Sequence, residues 1–500
     1  MSRATNSERS PLLRLQSRQS DAPSFSVANV APSTFQITST CLLLVAAHLV
    51  ASLLATAAAV SLNQAAACRN IYGRVPDPTN DAHCDDPALF SELSRLLSVE
   101  AILTTVASIF APIPIGVAAD RYGRRPFLVL ALVGSVLKIG SRLFICLFEL
   151  FRSVVFPLRL IWLSTSFELF TGGGAAFFAI IYTILTDVTS KAQRSTIFFY
   201  LAAGSILTAQ IGHKLRDFIN DNLGPWAALF TAFGLFVFAI LCAFCMPETI
   251  CLNKSVYNEE AIEDEPGTHT TTEKMRAAMS AACKQLTASM AALFCRNKTL
   301  AILLLAVFVM GLKAHSMAML PFYIDHRYKL AGKTFPTEAV RNWYLFLLNA
   351  LLLPLAAQAL LHFEFPALRK DATLARWGVL AAALGLLGIG LAPNIGALTA
   401  ALVVYALVSA YTGGIMGLLS QLTGEDHLAA MFATTGVLAT LGSLLGQPLF
   451  SVLFQSASNL GKTWSGLPYI VVGSTYIIVA VVVFVVTAGT AREADDNEQG

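Results

Sequence analysis

The chain has 500 residues, 55% of them hydrophobic and 13% charged, with a mean hydropathy of +0.64. A water-soluble surface needs roughly 25% charged residues, so a soluble protein is excluded and an all-α integral membrane protein is expected. A formal net charge of +3 leaves no basic face for nucleic acid, and the positions of the 34 Lys and Arg matter more than their sum.

Residues 1–38 carry Arg3, Arg9, Arg14 and Arg18 among Ser, Pro and Gln. That is too much polar chain ahead of the first apolar run for a secretory signal peptide, and it is read as a disordered cytosolic tail. Within it, Glu8-Arg9-Ser10-Pro11-Leu12-Leu13 resembles an acidic dileucine sorting signal. So short a pattern arises readily by chance, so the plasma membrane is the expected location and the vacuolar membrane the alternative.

Apolar runs of spanning length fall near 39–62, 96–118, 126–148, 158–186, 195–216 and 226–246, then near 299–322, 342–361, 376–392, 395–419, 428–454 and 467–488. They predict twelve transmembrane helices in two six-helix halves, 39–249 and 299–488, joined by a cytosolic connector, 250–298, and followed by a cytosolic tail, 489–500. Lys and Arg are more numerous in the predicted inner segments than in the outer ones, as that orientation requires. In the connector, Met275, Met279, Leu286, Met290 and Leu293 recur at helical spacing, which predicts an amphipathic helix along the inner membrane surface.

Of nine cysteines, only Cys68 and Cys84 fall on the outer side, in the loop after the first span. A local disulfide there suits the oxidising side of the membrane, although spacing alone does not establish the pairing.

Between the second and third spans the chain reads Gly116-Val117-Ala118-Ala119-Asp120-Arg121-Tyr122-Gly123-Arg124-Arg125. In this position G-x-x-x-D-R-x-G-R-R resembles the signature of the major facilitator superfamily. Asp187 to Arg194 resembles the family's D-x(6)-R loop after span four, and Pro247-Glu248-Thr249 resembles its ending of span six. Gly116 suits a close helix approach and Gly123 a tight reversal. The resemblance implies that Asp120 meets the amino-terminal end of the eleventh helix, near Leu428. Arg121, Arg124 and Arg125 are then free to pair with inner acids, Asp187 first. These residues, with Arg194, are expected to form a conformational latch, and the arginines also anchor topology. In the second half, Phe363 to Arg376 is basic but degenerate, and any latch there is expected to be weaker. Cys68-Arg69-x-x-Tyr72-Gly73 and Gly172-Gly173-Gly174 are similar to fungal members near the proton-coupled folate transporter branch, and span five lacks the Gly-Pro signature of many drug–proton antiporters.

Ionisable side chains deep in a span cost several kcal/mol unless paired or hydrated, so each is a functional candidate. Glu100, Glu168, Arg142, Lys313 and His315 all fall in the outer half of the bilayer by helical rise, deep enough to pair across spans two, three, four and seven. Glu100 heads a stripe with Thr104 and Ser108, and Pro112 and Pro114 should bend the helix below it. Arg142 is expected to hold Glu168 or Glu100 rather than touch solute, while Glu168 has a second reading as a charge at the outer interface. His48 reads as a satisfied polar residue before it reads as a proton carrier.

No P-loop, HExxH, metal-spaced Cys and His set or G-x-S-x-G is present, so no cofactor, no metal and no enzymatic activity are expected. What remains is a gradient-driven carrier of a small organic solute, with protons as coupling ion and the bilayer as setting, acting as a monomer. Export of a metabolite or toxin leads; proton-driven uptake of an organic anion is the alternative, and a non-transporting sensor is the reading from another class.

Overall fold

The computed structural model describes residues 34–72, 87–152, 160–249, 284, 287, 290–296, 298–328, 337–461 and 464–499. Glu8, Leu12, Leu13, Cys84 and most of the connector at 250–298 lie outside that set. Among the described residues there is no strand, and 11 helical stretches are long and apolar enough to cross a membrane. One of them, Lys191–Cys245, has 55 residues, more than twice the ~20 that one crossing needs. It is interrupted at Gly224 (φ 81°, ψ 170°), and Pro225 behind it has no amide with which to continue the ladder. Two crossings meet there, which makes twelve spans.

Span one is Thr34–Tyr72, span two Pro87–Phe110 and Pro112–Tyr122, span three Arg124–Arg152, and span four Ile161–Thr171 and Gly173–Asp187; Arg194–Cys245 supplies spans five and six. Span seven is Lys298–Leu312 continued by Ala314–Ala318 and Leu320–Tyr328, and span eight runs from Thr337–Leu347 through a π turn to Leu353–His362. Span nine is Ala367–Leu391, span ten Ile395–Ala406 and Val408–Leu422, span eleven Leu428–Leu460 and span twelve Leu467–Gln499. Before span seven, Leu293 of the connector is buried, with Met290 packed beside it.

Three buried clusters come from spans one to six, with only Ala429 added from span eleven. A larger one comes mainly from spans seven to twelve and takes in Val117, Ala179 and Phe198. Residues of spans two, four and five thus pack into the core of the later helices.

Several spans expected as continuous are broken. Span two breaks at Ala111, ahead of Pro112 and Pro114, and Ile115 N–H still donates to Ala111 O at 3.3 Å. In span seven a turn at Lys313 divides the helix. Broken backbone within lipid must find new partners, and buried tyrosines supply them around this turn. The hydroxyls of Tyr411, Tyr476 and Tyr469 donate to the carbonyls of Ala306, Met310 and Ser316 at 3.3, 3.1 and 3.0 Å. In span four, Gly172 and Gly173 have φ of 72° and 49°, a left-handed region that glycine enters at little cost. The outer half-helix ends at Gly172, whose N–H donates to the Glu168 carbonyl at 2.8 Å, and a new helix starts at Gly173.

Candidate functional site

At the inner ends of the spans, the carboxylate of Asp120 accepts hydrogen bonds from the amides of Ala429 (2.9 Å) and Ala430 (2.8 Å), the first turn of span eleven. A carboxylate is favoured there because the opening amides of a helix lack intrahelical partners and carry partial positive charge. Close approach is needed: a Cβ on Gly116 would stand 2.6 Å from the Ala429 carbonyl oxygen. Arg124 bridges Asp120 at 2.5 Å and Asp187 at 3.2 Å, with all three side chains nearly excluded from solvent. Thr249 Oγ1 donates to the same Asp187 carboxylate at 3.2 Å.

Gly123, with φ 113°, leaves room for Glu248, whose carboxylate accepts from the amides of Arg124 (2.8 Å) and Arg125 (3.1 Å) and so caps span three. Arg125 donates its guanidinium to the Phe244 carbonyl. Arg121 is exposed, its guanidinium 5.4 Å from the Tyr122 ring centroid. Arg194 reaches from span five to the Ser420 carbonyl of span ten at 2.8 Å. Between these contacts Tyr182, Phe198 and Phe432 form an aromatic cluster with centroids 5.2 to 5.9 Å apart. These contacts tie spans four and five to spans ten and eleven at this end of the bundle.

The segment expected to hold only a weaker latch contains a second buried ion pair. Lys370 and Asp371 are both 0% exposed, with Nζ 3.1 Å from the carboxylate. Lys370 also donates to Ala192 O (2.5 Å) and Ser195 Oγ (2.9 Å) of the first half, and Gln421 donates to Asp371 at 2.6 Å. No repeated motif is needed for this pair: adjacent residues of opposite charge in the first turns of span nine suffice once partner segments enclose them.

In the outer half, Glu100, Lys138, Arg142, Glu168 and His48 line one cavity of about 560 Å³ with Thr104, Ser108, Ser135 and Gly172 to Ala175. Arg142 is paired with Glu100, and Lys138 holds Glu168 at 3.0 Å. Glu168 is 9% exposed, so it is not a charge at the interface. His48 is 6% exposed and stacked on Phe177 (4.3 Å, 11°), with Phe178 and Phe236 edge-on. Its Nδ1 is buried without a hydrogen-bond partner, so the reading as a satisfied polar residue is corrected. The signal for it was a lone imidazole at mid-span opposite three successive glycines.

Lys313 and His315 do not join this group. Lys313 stands beside Tyr405, its Nζ 6.0 Å from the ring centroid, and His315 follows it in the short helix Ala314–Ala318. Elsewhere in the second half, Asn349 donates to Ser409 at 3.2 Å across spans eight and ten, and Thr412 donates to Val408 O of its own helix at 3.1 Å. Cys68 is disulfide-bonded, and its partner, like Cys84, lies outside the described residues.

Comparison with known proteins places this geometry. A family model described as Major Facilitator Superfamily matches residues 87–363, more than half of the chain. The chain is 25% identical over 403 residues to the MFS efflux pump atnC of Emericella nidulans, covering 78% of this chain and 74% of that one. It is 24% identical to the MFS-type transporter avaK of Aspergillus versicolor, over 69% of this chain and 75% of the relative. Among solved structures, the human organic anion transporter MFSD10 (TETRAN) shares the fold with a TM-score of 0.60 at 16% identity, covering 89% of this chain and 99% of that one. A bacterial homologue of the iron transporter ferroportin, in an outward-facing state, does so with a TM-score of 0.62 at 12% identity, covering 91% and 99%. Twelve spans, the filled loop motif and the matched family model lead to one assignment: the chain belongs to the major facilitator superfamily, as a multi-pass membrane transporter of small solutes and not an enzyme.

Proposed function

We propose that the protein is a proton-coupled secondary transporter of a small organic solute, working by alternating access as a monomer in the plasma membrane. The observation that carries the reading is the pairing of a charge-lined outer-half cavity with an inner side closed by two buried ionic clusters. Rocking of 39–249 against 299–488 would break those clusters and open the site to the cytosol, the machinery expected of this architecture. Glu168, with Glu100 as second choice, takes up and releases the proton. The resemblance to fungal efflux pumps supports export of a metabolite or toxin.

A second cycle, proton-driven uptake of an organic anion, draws on a different observation: two of the ionisable groups lining the cavity are the cations Lys138 and Arg142. Flux of labelled compounds in sealed vesicles under an imposed pH gradient tests both. Accumulation against the proton gradient's direction marks export, accumulation with it marks uptake, and indifference to the gradient rejects proton coupling.

A further inference from the structure

We propose that the first turn of the inner half of span four, Gly173 to Ala175, together with His48 and Lys138, forms a cradle for the carboxylate of an organic acid. This deepens the reading of the outer-half cavity as the solute site and rests on it. The break at Gly172 starts a fresh 15-residue helix, Gly173–Asp187, inside the membrane, and no side chain caps it. Its first bond runs from Ala176 N–H to Gly172 O at 3.2 Å, so the amides of Gly173, Gly174 and Ala175 lie ahead of the helix's own ladder. Such a terminus carries roughly half an elementary positive charge and attracts anions.

A second, independent feature points to the same place. His48 is 94% buried by its 6% exposure, and its Nδ1 has no partner. Its Nε2 lies 3.4 Å from where a Cβ on Gly174 would stand, so the imidazole is aimed at the helix start. A buried polar ring gains from each hydrogen bond it can make, and Nε2, the nitrogen beside the helix start, is the atom a bound solute would meet, Nδ1 being shielded from the cavity. Phe177, Phe178 and Phe236 hold the ring in place and give the cavity an aromatic wall.

At present the cradle faces an internal anion. The Glu168 carboxyl carbon is 3.1 Å from where a Cβ on Gly173 would be, and the carboxylate is held by Lys138. The other charged or titratable groups facing Glu168 are Arg142 of span three, Glu100 of span two and His48 of span one. Arg142 is committed to Glu100. A proton taken up by Glu168 therefore releases one cation, Lys138, beside the helix terminus. One free positive charge matches a monocarboxylate better than a dianionic phosphate, and a cavity of about 560 Å³ suits an acid with an aromatic or branched body. Proton and acid then bind together and move in the same direction, as in the uptake cycle described above as the second reading.

The test uses full-length protein in nanodiscs and three acid–amide pairs: benzoate with benzamide, cinnamate with cinnamamide, and indole-3-acetate with indole-3-acetamide. Affinities come from ligand-dependent shifts of thermal unfolding, at mildly acidic and mildly alkaline pH. The expected result is at least one acid bound about 10-fold or more tightly than its amide, the scale of one charge-assisted hydrogen bond, and more tightly at the acidic pH. Glu168→Gln should bind that acid tightly at both pH values, and Lys138→Met and His48→Phe should lose the preference for acid over amide. His48→Gln serves where His48→Phe unfolds. If amides bind as well as acids and lose their binding in Lys138→Met, the cavity is a solute site and the anion cradle alone is overturned. If no compound binds, or binding ignores every cavity substitution, the cradle and the solute-site reading fall together.

Discussion

Lys370 of span nine donates a hydrogen bond to the carbonyl of Ala192, in the loop between spans four and five, at 2.5 Å. With Asp120 against the amides of Ala429 and Ala430, it gives the inner closure two buried ionic contacts, one anchored in each half. Charges so placed favour whichever state keeps them paired, because separating them leaves a buried charge without compensation. Both contacts join helices that alternating access must separate, so each should set the balance between the two states.

Asp120→Asn and Arg124→Ala should therefore lower transport by about 10-fold or more, the effect of ~1.4 kcal/mol on a two-state equilibrium, with abundance at the membrane largely kept. Vesicle flux normalised to surface protein checks this. Normal flux in both variants would sink the latch, and loss of abundance alone would leave the arginines as topology anchors.

Lys370→Met should be more harmful than its conservative volume suggests, since Asp371 would stay buried with only the neutral Ser195 and Gln421 as hydrogen-bond partners. Adding Asp371→Leu should recover part of the loss, because a buried ion pair is often replaceable by apolar residues of similar size. A double-mutant cycle on thermal unfolding should show a coupling of about 1 kcal/mol or more. Strict additivity of the two single changes would contradict it.

Glu168→Gln should abolish accumulation driven by a pH gradient while solute exchange, which needs no net proton movement, continues. Equal loss of both would assign Glu168 to solute binding or folding, and loss of neither would remove it from the mechanism.

Cys68 should be found linked to Cys84 in peptides from unreduced protein. Cys68→Ser should destabilise the protein by about 3 kcal/mol, the value for closing a loop of this length in the chain-entropy account. A free alkylated thiol at Cys84 would overturn the pairing.

Local chemistry carried much of this in the sequence. Apolar length marks a span because the bilayer core has a fixed thickness, and the Asp120 to Arg125 motif sits in so short a loop that its charges must meet neighbouring inner ends. Glu100, Glu168 and Arg142 stood out because charge in hydrocarbon needs a reason. Tertiary structure decided the partners. Glu168 went to Lys138 and Arg142 to Glu100 because the break at Gly172 ends the outer half-helix there and so sets where Glu168 sits in the cavity. Lys313 stands instead beside Tyr405 of span ten, and Lys370 and Asp371 became a buried pair only through segments far away in the chain. Hydropathy reports whether a segment prefers lipid to water, a property each residue holds by itself; which charge meets which depends on helix rotation, breaks and crossing, and these are settled only when all the spans pack at once.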